Sequence, residues 1–132
     1  MENRGYKDDP TIPDKAELLR RIPPWHFIPD ENQGLVRPSS AAFADDKDGP
    51  MSVTLAEELT KEGRSLDSVL VGHGDFALAS ITAGLVRECE QGIVRAPTDD
   101  EPAHALVFGK KTKSIQRKLV KGARWIIPPS GS

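Results

Sequence analysis

Eleven prolines and eleven glycines are spread through 132 residues, and they limit how far any helix or strand can run. Proline removes a backbone donor and glycine favours turns, so a chain punctuated this densely folds as short elements with frequent connections. The length suits one ordinary domain, because dividing it would leave two marginal cores. Leu, Ile, Val and Phe make up a little under a quarter of the sequence, which is lean but sufficient for a single core.

The local patterns give the following order. Residues 1–14, "MENRGYKDDPTIPD", are polar and proline-marked, and they read as a flexible N-terminal arm. Asp14 and Glu17 have the spacing of a capping box, which predicts a short helix over 15–21 with Leu18, Leu19 and Ile22 facing inward. "WHFIPDENQG" reads as an extended segment followed by a turn, and "LVRPSSAAF" as an edge strand or ordered loop. In "WHF", Trp25 and Phe27 alternate around His26 as core aromatics would. "ADDKDGP" is an exposed acidic turn. A helix is expected over 55–61, closed by Gly63, and a second short one over 66–70. Residues 76–87 fit strand or helix, and Ile81, Thr82 and Gly84 favour strand. "GIVRAP" and "AHALVFG" are firmer strands.

The sum is an α+β fold: a small, mostly antiparallel sheet of three to five strands, with helices packed on one face. One of these is a C-terminal amphipathic helix. The domain spans 15–129, and 130–132 form a disordered tail.

Charge is divided unevenly along the chain. Residues 1–101 hold all twenty Asp and Glu with eleven Lys and Arg, a net −9, whereas 102–132 hold seven Lys and Arg and no acid. At about 100° per residue, Lys110, Lys113, Arg117, Lys121 and Arg124 fall within about 80° of helical arc. Ile115, Leu119, Ala123 and Ile126 occupy the opposite side. Five like charges in a row repel one another, and an anionic partner relieves that cost. The basic stripe therefore predicts a small binding module docking onto an acidic protein surface or nucleic-acid phosphate. A sequence pI near 5.9, with Trp125 the one aromatic in the stripe, weakens the nucleic-acid alternative.

A second reading is enzymatic: a small, metal-independent, ribonuclease-like protein of toxin or defence type. His73 lies between two glycines near Asp75, and His104 opens a strand after an acidic loop. Two such imidazoles suit proton transfer at neutral pH, with Arg37 or Arg95 steadying the charged phosphorane. The three histidines lack local metal-ligand spacing, so no metal or other cofactor is expected. The "GKKT" run lacks the upstream glycine and the Lys-Ser/Thr pair of a phosphate-binding loop, although its helix start retains some capacity for one anion. Ser39, Ser40 and Ser52 stand in no nucleophile motif. Cys89 is the sole cysteine, so no disulfide forms within the chain, and its acidic neighbours make it a poor nucleophile. With no secretory leader or membrane-length apolar run, the chain reads as soluble and cytoplasmic. Its segregated charge permits self-association as a homo-oligomer.

Overall fold

A computed structural model describes residues 5–30 and 35–129. Residues 1–4, the predicted turn at 31–34 and the predicted tail at 130–132 lie outside the described residues. The core is a six-stranded sheet in the order β6-β7-β4-β1-β5-β8, and each neighbouring pair is antiparallel. In chain order these strands are β1 (Glu17–Ile22), β4 (Met51–Leu55), β5 (Ala77–Thr82), β6 (Gly92–Arg95), β7 (His104–Phe108) and β8 (Arg124–Ile127). The strands β2 (Phe27–Asp30) and β3 (Leu35–Pro38) form a separate two-stranded hairpin. The helices are α1 (Ala56–Lys61), α2 (Ala83–Glu88) and α3 (Lys113–Gly122), with 3₁₀ turns at Pro24–His26, Ser40–Phe43 and Leu66–Leu70. The α+β class and the antiparallel pairing agree with expectation. The main sheet is larger than the predicted three to five strands.

The segment read as a capped helix over 15–21 is the central strand β1. Leu18 and Leu19 are both buried, but a strand sends adjacent side chains to opposite faces, so each enters a different core. Leu18 joins Val53, Ala79 and Leu119 on one side, and Leu19 joins Leu59, Val69 and Leu78 on the other. The two residues of the supposed capping box bind elsewhere. Asp14 accepts from Arg87, and Glu17 accepts from Ser80 and Arg124. Because both faces of β1 are covered, helices lie on both sides of the sheet, and the one-face expectation is corrected. α2, α3 and the Ser40–Phe43 turn cover the larger core, while α1 and the Leu66–Leu70 turn cover the smaller.

Residues 76–87 contain both of the alternatives. β5 is buried on both faces, sending Ala77, Ala79 and Ile81 to the larger core and Leu78 to the smaller, after which Thr82 accepts the Leu85 amide and starts α2. In the N-terminal segment, Ile12 is buried in the main core, the Asp9 amide donates to the Ile93 carbonyl, and Asp8 accepts the Ile93 amide. These contacts cover the outer edge of β6, which would otherwise present unpaired backbone groups. Of the "WHF" aromatics, Phe27 packs on the core, but Trp25 is 74% exposed and so is not a core residue.

The C-terminal helix is shorter than its periodicity suggests. Thr112 caps its start by accepting the Ile115 amide, and the helix ends at Gly122, where an added Cβ would lie 2.5 Å from Leu85 Cδ2. The chain then turns extended. "RWII" pairs with β5, and Ile126 packs on the smaller core instead of along α3.

Candidate anion-binding groove

Early termination of α3 divides the expected stripe. Lys113, Arg117 and Lys121 remain on the helix, Lys110 precedes it, and Arg124 lies on β8. All five are exposed. Arg124 meets Glu17 at 2.5 Å, whereas the other four form no ion pair among the described residues. Lys111, in the same run, behaves differently. Its side chain is 3% exposed, and its Nζ contacts the Val107 carbonyl and Asp45 of the acidic turn. Burial holds its pKa below the ordinary value despite the neighbouring carboxylate. Lys111 therefore ties the segment before α3 to the 45–48 turn and is not part of the open basic surface.

The hairpin β2–β3 stands beside the end of α3 and β8, leaving a groove of about 690 Å³ between them. Arg37 contributes from β3, Arg117 and Lys121 from α3, and Arg124 from β8. Ile28, Val36, Val120, Ala123 and Trp125 give the same groove an apolar surface. The Ser39 hydroxyl, also in its wall, is buried without a hydrogen-bond partner among the described residues. Two ties hold the walls together: the Trp125 indole donates to the Val36 carbonyl at 2.8 Å, and its ring meets Phe27 edge-on. An apolar groove with cations on three elements can take an anionic chain whose apolar side chains fill the floor.

The sequence separates Arg37 from Arg117 by eighty positions, and no local motif connects them. Arg37 is one of the two arginines expected to steady a phosphorane beside the histidines. Its place in this groove sets it apart from both histidines. Arg95, the other candidate, is bound to Glu58 and Asp9.

His73 and His104 line a second cavity, of about 600 Å³, over the β7–β4–β1 part of the sheet. His104 Nδ1 lies 2.8 Å from the Ala96 carbonyl, which fixes the proton on Nδ1. His73 Nε2 lies 3.1 Å from Arg21 Nη1, and because guanidinium only donates, this nitrogen accepts. Arg21 thus occupies the place beside a histidine expected for Arg37 or Arg95. The doublet Arg20–Arg21 was the available signal. Both line the cavity, but Arg20 binds Asp46 and the Ala42 and Ser52 carbonyls. His26 lies outside this cavity, and burial lowers its pKa. Cys89 is buried, and desolvation raises its thiol pKa, with Glu88 adding to the effect and Lys118 opposing it.

Compared with family models, curated proteins and solved structures, the chain gives no match. No described helix is long and apolar enough to cross a membrane.

Proposed function

We propose that this protein is a binding module that takes an acidic protein segment into the groove between α3, β8 and the β2–β3 hairpin. The observation carrying this reading is the meeting of Arg37, Arg117, Lys121 and Arg124 around one apolar floor. Charge attraction steers an acidic partner to the rim, and burial of its apolar side chains supplies holding energy at about 25 cal/mol per Å². A bare nucleic-acid backbone has nothing to place on that floor, and Trp125 is already engaged with Val36 and Phe27. The acidic protein segment is therefore the better match than phosphate.

The test is fluorescence anisotropy with a labelled peptide of mixed Glu and Leu, set against a single-stranded oligonucleotide of equal charge. The peptide is expected to bind more tightly, with an affinity that weakens from low to physiological salt. Preference for the oligonucleotide would reverse the choice of partner.

A hydrolytic reading keeps one point in its favour, the shared cavity of His73 and His104. In it, His104 Nε2 is the available base and Arg21, not Arg37 or Arg95, is the cation at hand. His73 Nε2 accepts a hydrogen bond from Arg21 in this arrangement, so that nitrogen carries no proton to give a leaving oxygen. The binding reading is preferred on that ground.

A further inference from the structure

The second cavity has chemistry that the groove does not use. We infer that it is a site for a small aromatic anion of the nucleoside-monophosphate class, with the anion on Arg21, the ring against Phe76 and a ligand N–H or O–H donated to His104. This inference does not rest on the acidic-peptide reading of the groove.

Three arginines line the cavity, but only one is available. Arg20 is spent on Asp46 and backbone carbonyls, and Arg64 on Glu101 and Glu62. Arg21 is exposed, has no carboxylate partner among the described residues, and commits one N–H to His73. Its remaining donors form the planar fork suited to phosphate or carboxylate. Asp100 and Glu101 lie on the loop before β7, two strands away from Arg21 across the sheet. Glu101 is held by Arg64, and Asp100 repels an anion from that end. The cavity is polarised, with its open positive charge at the β1 end.

At the other end, the Ala96 carbonyl holds the His104 proton on Nδ1, leaving Nε2 as an acceptor for a sugar hydroxyl or a base amine. β7 and β1 flank β4, so their backbones stand about 10 Å apart, a span that inorganic phosphate alone does not bridge. The volume falls within the range of small-molecule sites.

Near Arg21 the wall is aromatic. Phe76 lines the cavity, with the His73 ring 4.9 Å away and Trp25 edge-on at 5.8 Å. Trp25 is 74% exposed and Val71 79% exposed, leaving an apolar rim open to a planar ring. Stacking on such a surface tolerates any nucleobase, so the class is defined more closely than the base.

Trp25 is a built-in reporter for the test. Titration of the full chain with the four ribonucleoside monophosphates, followed by fluorescence and calorimetry, is expected to give saturable binding. The matching nucleosides and inorganic phosphate should each bind at least tenfold more weakly. Arg21→Gln, at an exposed position, should weaken nucleotide binding at least tenfold and leave nucleoside binding unchanged. Phe76→Leu should weaken both. Arg117→Glu combined with Lys121→Glu should leave the nucleotide signal intact, which separates this site from the groove. No saturable nucleotide binding, or equal affinity for wild type and folded Arg21→Gln, would overturn the inference.

Discussion

The Trp125 indole N–H donates a 2.8 Å hydrogen bond to the Val36 carbonyl, joining the hairpin to the edge strand β8. The two residues lie on separate sheets, so this bond, with the edge-on packing of Trp125 on Phe27, sets the width of the basic groove. Trp125→Phe keeps an aromatic ring and removes the donor. The expected cost is about 1 kcal/mol in urea unfolding, with weaker capture of acidic peptide. An unchanged midpoint would show that the bond contributes nothing.

Lys111 and Asp45 form the other long connection near α3. The lysine is almost wholly enclosed and also donates to the Val107 carbonyl, so its loss leaves buried acceptors unpaired. Lys111→Met is expected to destabilise the fold by about 2–4 kcal/mol. Adding Asp45→Asn removes the stranded charge and should restore part of that loss, a coupling measurable in a double-mutant cycle.

Acid sensitivity has a defined source in Glu101. Its carboxyl pKa is held below the ordinary 4.5, first by hydrogen bonding from Arg64, with the Ala103 amide adding to the effect and burial opposing it. A depressed carboxylate contributes stability above its unfolded pKa and loses it as pH falls through the folded value. Glu101→Gln should therefore cost about 1–2 kcal/mol at pH 7. The gap from wild type should narrow between pH 4.5 and the lower folded pKa, as urea midpoints at successive pH values will show.

What the sequence discloses depends on how local the cause is. β6 and β7 were legible because apolar runs sit between Gly and Pro marks, and the helical portion of α3 because its period spans three turns. The extension of that helix to Ile126 failed because Arg124 and Ile126 satisfy the helical arc by arithmetic while β5 offers "RWII" an open edge. β1 departs from its local pattern for a similar reason. The Asp14–Glu17 spacing imitates a cap, and only the packing shows that adjacent leucines serve two cores. Of the groove residues, Arg117 and Lys121 followed from periodicity, as did Arg124 although it lies on β8, while Lys110 and Lys113 do not line the groove. Arg37 entered the groove, and Arg21 the second cavity, through tertiary contacts that no local pattern records.

The central claim is that the open cations of α3 and the hairpin hold an acidic partner. The most direct measurement is the affinity of the Glu/Leu peptide for wild type and for Arg117→Glu combined with Lys121→Glu, at low and physiological salt. Lys47→Glu, an exposed change in the acidic turn, serves as the control. The account predicts at least a tenfold loss for the double variant, a steep salt dependence in wild type and no loss in the control. Equal affinity of the double variant and wild type, or binding indifferent to salt, would contradict it.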